Sequence, residues 1–199
     1  MRLGKMMLTV VGAIVLLAAL VGSASAGRLS TSSQRVAAAW TRFNFRGGLG
    51  TVECEIIVNG SFHERTLSKT TGTLSGFISS ANINRCSRGA VTVLAETLPW
   101  HVQYESFTGA LPTITNIRAK IIGLAFRVQE PVFAIECLSR ATAEAPGFLT
   151  FNRETATGAT ISGSAGGSIR CGGAITGTLE GTTSSLTNGS GARVTVTLI

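Results

Sequence analysis

The stretch 97–114, TLPWHVQYESFTGALPTI, gathers the residue types best suited to chemistry. It holds Trp100, one of two tryptophans, Tyr104, the single tyrosine, and His101, one of two histidines. In a strand successive side chains point to opposite faces. Trp100, Val102 and Tyr104 then share one face, and His101, Gln103 and Glu105 share the other. Two flat rings beside an amide and a carboxylate suit a sugar or another small molecule, because the rings stack and the polar groups bond hydroxyls. Trp100, His101, Gln103, Tyr104 and Glu105 are therefore the candidate ligand-binding residues. The competing arrangement buries the Trp100 face in a core and leaves the His101 face in water.

Catalytic sets are thin elsewhere. The chain has no aspartate, which excludes Asp-containing triads, aspartic-protease dyads and EF-hand loops. His63-Glu64-Arg65 and His101 would meet only across neighbouring strands, and no H-E-x-x-H presents metal ligands on a helix. No G-x-S-x-G elbow exists for a serine nucleophile. Glu53 and Glu55 share a strand face about 6.5–7 Å apart, a separation that glycosidase carboxylates use, yet two surface glutamates account for it equally well. Neither catalytic residues nor a metal or cofactor is expected.

The elements that position these residues begin with export. Arg2 and Lys5 precede an apolar run over 6–21, and Ala24-Ser25-Ala26 has the small-x-small form of a cleavage site. This is a secretory leader spanning 1–26, too short for a membrane span of about 20 apolar residues. Residues 27–199 then form one domain, with no transmembrane span after cleavage, secreted or held at the cell envelope. Removing Arg2 and Lys5 leaves 15 basic residues against 10 glutamates. The basic residues are dispersed and no block of like charge forms, so nucleic acid is not an expected partner.

Cys54, Cys86, Cys137 and Cys171 are an even set in an exported chain, which reads as two disulfides. Four cysteines allow three connectivities. Val52-Glu53-Cys54 is echoed by Ile135-Glu136-Cys137, and the sequence after Cys86 by that after Cys171, at an offset of 83 to 85 residues. The echo favours Cys54–Cys86 and Cys137–Cys171, one bridge in each half.

Glycine (24), threonine (25) and serine (19) make up about a third of the chain. Alternating apolar and polar residues recur between turn signals, most clearly Val194, Val196 and Leu198 against Arg193, Thr195 and Thr197. Strands are predicted over 51–58, 67–78, 91–98, 100–107, 114–128, 132–138, 148–151, 159–164, 168–171 and 174–180. Asn59-Gly60 and Asn188-Gly189 read as turns, and 163–167 as a flexible turn. Residues 34–40 suit helix or strand, and 139–146 one short helical turn. The whole predicts an antiparallel all-β domain: a β-sandwich, with a closed β-barrel as the alternative. A membrane barrel would need aromatic girdles at the ends of its strands, which this sequence lacks.

The segment LPWHVQYESFTGALPTI, with Gly60-Ser61-Phe62-His63 upstream, resembles uncharacterised exported all-β proteins of high-GC Gram-positive bacteria. The similarity covers residues 50–138. That group has no assigned activity, so the resemblance implies an envelope setting and no site residues. The expectation is a non-catalytic structural or interaction module of the cell envelope, its partner an unknown envelope protein or glycan. The alternatives are a small-molecule or glycan binder using the Trp100/Tyr104 segment, and a secreted hydrolase.

Overall fold

The computed structural model describes residues 28–47, 50–110, 113–130, 135–153, 161–171 and 175–199; the leader expected at 1–26 lies outside them. The first strands are β1 (Arg28–Thr31), β2 (Arg35–Gly47), β3 (Gly50–Phe62), β4 (Thr66–Ser68), β5 (Leu74–Cys86), β6 (Ala90–Val93) and β7 (Trp100–Ala110). They continue as β8 (Thr113–Ile122), β9 (Ala125–Glu130), β10 (Ile135–Arg140), β11 (Gly147–Arg153), β12 (Ile161–Cys171), β13 (Ile175–Thr187) and β14 (Val196–Leu198). Among the described residues the one helical element is a 3-10 turn, Ala95–Thr97. No helix among them is long and apolar enough to cross a membrane.

The antiparallel all-β expectation holds, but its arrangement differs from a sandwich. β2, β3, β5, β7, β8, β11, β12 and β13 follow one another by antiparallel pairing, and β13 pairs back onto β2. β11 is the joint, because Phe148 stands opposite Lys120 on one side and Gly166 on the other. One curled sheet therefore encloses its own inner face, rather than two sheets stacking. Beyond β11, the same edge of β12 carries an arm of β10, β9 and β6. A separate three-stranded sheet, β14-β1-β4, joins the two ends of the described chain.

β2 shows why these residues choose strand over helix. Ala37, Ala38 and Ala39 favour helix, yet β2 has β3 on one edge and β13 on the other, and both supply ladder hydrogen bonds. Ala38, Trp40, Phe43 and Phe45 point inward, and Arg42 and Arg46 outward. The inward set keeps its face because the ladder slips between Trp40 and Phe43, leaving Thr41 and Arg42 both exposed. Charge outside and rings inside reverse the pattern of a membrane-spanning barrel.

Several local expectations are corrected. Asn59-Gly60 lies within β3, not in a turn. A Cβ on Gly60 would sit 2.3 Å from the Phe77 carbonyl oxygen, and one on Gly76 would sit 2.4 Å from that of Ser61. These glycines let β3 and β5 approach closely where their register shifts, between Asn59 and Gly60. Gly60→Ala is expected to lower stability by about 1–3 kcal/mol, the range for overpacking. A urea midpoint equal to the parent's would contradict this close approach. The expected flexible turn at 163–167 runs inside β12 as a laddered strand. The expected strand 114–128 breaks in two at Gly123 (φ +90°), and 67–78 breaks around Gly72 (φ +85°), both left-handed positions that favour glycine. Of the expected helical turn at 139–146, residues 139–140 belong to β10 and 143–145 form a bend. Asn188 does make a turn, its Oδ1 accepting bonds from the Ser190 and Ala192 backbone N–H groups.

Cys54 and Cys86 form the expected disulfide across the β3–β5 ladder, their Cα atoms 4.0 Å apart. Backbone register sets Cys137 directly opposite Cys171 in the β10–β12 ladder.

Among the described residues the interior has two apolar clusters. The larger runs from the curled sheet into the β6–β9–β10 arm. At its centre Phe126 packs against Trp100, Phe45 and Phe43 with ring centroids 5.3, 5.4 and 6.0 Å away. The smaller joins Leu29, Leu67, Val196 and Leu198 of the three-stranded sheet to Tyr104, Ile114 and Ile117.

Candidate functional site

The structure separates the five candidate binding residues by face, as their alternation in β7 requires, and buries the two aromatics. Trp100 is 1% exposed and Tyr104 5% exposed. Trp100 lies in the larger cluster and Tyr104 in the smaller, so they do not form one open platform for a sugar. The Trp100 indole N–H donates to Thr97 Oγ1 at 2.8 Å, and the Thr97 hydroxyl donates to the Leu94 carbonyl at 2.8 Å. This satisfied donor marks a structural tryptophan. Burial pushes the Tyr104 phenol above its ordinary pKa, which keeps it neutral.

His101, Gln103 and Glu105 face outward. Glu105 Oε2 lies 2.7 Å from Arg118 Nε, and its Oε1 lies 3.7 Å from Lys120 Nζ. Arg118 also stacks over the Phe148 ring at 4.3 Å. Glu105 thus ties β7 to β8, and its charge is engaged. His63 is exposed and rests on the Phe77 ring at 5.7 Å, and Phe77 in turn stands opposite His101 in the β5–β7 ladder. Among the described residues no group of three His, Cys, Asp or Glu side chains could hold a metal ion. Glu53 lies 4.0 Å from Arg42 on the outer surface.

The residues that do converge lie inside the curled sheet. An apolar cavity of about 60 Å³ is lined from opposite walls by Val36, Ala38 and Trp40 of β2, Val58 of β3, Phe151 of β11 and Leu186 of β13, among others. A second, of about 50 Å³, adjoins it through Phe62, Val102, Phe151 and Leu186 and reaches the smaller cluster. Eight paired strands leave an interior just wide enough for side chains to fill, or for one small ligand. Here the lining includes Ala38, Gly60 and Gly76, which add almost no bulk, and space is left over.

Trp40 belongs to this apolar wall. Trp40 is 3% exposed, and its indole N–H has no hydrogen-bond partner among the described residues. A buried donor without an acceptor costs about 1–3 kcal/mol. Sequence reading missed this site, because its residues look like ordinary strand core. The available signal was the run of small residues at inward positions, Ala38, Gly60 and Gly76. No family model, no curated protein and no solved structure matches this chain.

Proposed function

We propose that this chain is an exported binding protein without catalytic activity, and that it holds a small apolar molecule inside a barrel formed by its eight-strand ring. The observation that carries this reading is the apolar cavity inside the curled sheet, with Trp40 among its lining residues. A binder needs a pre-formed, mostly apolar space with a few placed polar groups, and this space meets that description. Glycan binding on Trp100 and Tyr104 loses support, since both rings are inside.

Export is supported by the 1–26 leader pattern and by the Cys54–Cys86 bridge, which suits an oxidising compartment. We assign the second bridge to Cys137–Cys171, supported by their opposed positions in the β10–β12 ladder. The likeness to exported proteins of high-GC Gram-positive bacteria fits the same setting.

The second reading, a structural or interaction module of the envelope, is favoured by β6, which among the described residues pairs with β9 on one edge only. Such an edge can accept a strand from a partner. One titration separates the two. Octan-1-ol is expected to bind the purified domain saturably, and Ala38→Leu, which fills the cavity, to abolish binding while keeping or raising the unfolding midpoint. If octanol fails to saturate, or binds the filled variant equally well, the cavity has no ligand role and the module reading takes its place.

A further inference from the structure

The outer face of the curled sheet carries a space of different chemistry. A surface cleft of about 470 Å³ lies over β2, β3 and β5. The ladder beneath it sets Arg35 opposite Ser61 and Ser61 opposite Phe77, and separates it from the apolar cavity. Ala37, Ser61 and Ser79 leave the space open, while Arg35, Asn59 and Phe77 are its bulky lining. Gly189 lines it too, from a turn held in shape by Asn188, whose Oδ1 accepts three bonds from Ser190 and Ala192.

The lining groups define what would fit. The volume falls within the about 300–1,000 Å³ of small-molecule sites. Among the described residues Arg35 is the one charged side chain that lines the cleft, and it is exposed without an ion-pair partner. Arginine recognises carboxylate and phosphate through paired N–H donors. The two serine protons are already committed, Ser61 Oγ donating to the Phe62 carbonyl and Ser79 Oγ to that of Asn59. A hydroxyl carries one proton and two lone pairs, so both serines offer acceptors and call for a ligand with O–H donors. Phe77 supplies an apolar ring, against which His63 packs with centroids 5.7 Å apart. The Phe77 and Arg35 backbones stand two strand spacings apart, about 9.5 Å, which one ring stacked on Phe77 and its acidic substituent can span.

We infer that this outer cleft binds an acidic sugar, its ring on Phe77, its hydroxyls donating to Ser61 and Ser79, and its carboxylate or phosphate on Arg35. A fatty or aromatic acid would satisfy Arg35 but bring no O–H donors to the serines. A neutral sugar would leave the guanidinium unmatched. The cleft lies on the other side of the sheet from the apolar cavity, so the inference goes beyond the reading above and does not depend on it.

The test is a nuclear magnetic resonance titration of the purified protein at low ionic strength, where exposed charge is least screened. The probes are glucuronate, glucose 6-phosphate, glucose and glucosamine, which share one ring, and acetate, an acid without it. Both acidic sugars are expected to bind saturably, to shift the backbone amides of Arg35, Ser61 and Phe77, and to bind more tightly than glucose or acetate. Glucosamine should be the weakest sugar. The tighter acidic sugar identifies the group as carboxylate or phosphate, and either ranking supports the inference. Arg35→Ala, at an exposed position, is expected to weaken both acidic sugars about fivefold and to leave glucose unchanged. Arg35→Glu is expected to reverse the order, so that glucosamine binds more tightly than either acid. Acidic sugars that fail to bind, shift other amides, bind no better than glucose or acetate, or ignore Arg35→Ala overturn the inference. Octan-1-ol binding inside the sheet is read separately, so either result leaves the cavity reading to its own test.

Discussion

Trp100→Ala is expected to cost about 3–5 kcal/mol of stability, the range for deleting a large aromatic from a core. The side chain is 1% exposed and packs edge-on against Phe126 at 5.3 Å. Phe126 in turn holds Phe43 and Phe45, so one deletion loosens the joint between the curled sheet and the β6–β9–β10 arm. The indole bond to Thr97 Oγ1 disappears as well, and with it a tie across the 3-10 turn before β7. A domain has only about 5–15 kcal/mol to lose, so the variant should unfold at a much lower urea concentration. Guanidine or urea unfolding followed by Trp40 fluorescence measures the shift. A variant as stable as the parent would return Trp100 to the surface role that its neighbours in sequence suggest.

Removing the Cys54–Cys86 bridge should have an effect of the same order. Its partners are separated by 32 positions, and closing a loop of that length in the unfolded chain is worth about 3.5–4 kcal/mol in the chain-entropy model. The double variant Cys54→Ala/Cys86→Ala should therefore unfold well below the parent under non-reducing conditions. Reduction of the parent by dithiothreitol should cost more than this double variant, because it also opens the bridge assigned to Cys137 and Cys171. A non-reducing peptide map of the protein tests the two assigned bridges and the proposed leader cleavage together. Equal midpoints for the reduced parent and the double variant would remove the second bridge from the account.

Much of the strand content was legible in the chain. Val194, Val196 and Leu198 alternate with polar residues, and all three are buried as that alternation demands. Cys54 and Cys86 were paired by an echo between two halves of the chain, and the ladder sets them opposite each other. Asn59-Gly60 misled, because the same dipeptide serves a two-residue turn and a strand whose neighbour crowds the backbone. Only the position of the Phe77 carbonyl separates those uses. The Trp100 segment misled in another way. Its alternation placed the residues on two faces correctly, but a period of two carries no sign that says which face is inside.

What the sequence by itself determined is the local part: extended chain, which side chains travel together, and where glycine must bend the backbone. These follow from short-range sterics and period, which a strand carries within itself. Tertiary structure alone decided that β11 would pair with both β8 and β12, so that the sheet curls on itself instead of stacking on a second one. It also decided that Trp40, Ala38, Gly60 and Leu186 would face one another across an unfilled space. The physical reason is that both outcomes depend on pairings between separate segments, from Asn152 opposite Asn116, 36 residues apart, to Thr187 opposite Ala37, 150 residues apart. Which of those contacts win is set by how the whole inner surface packs.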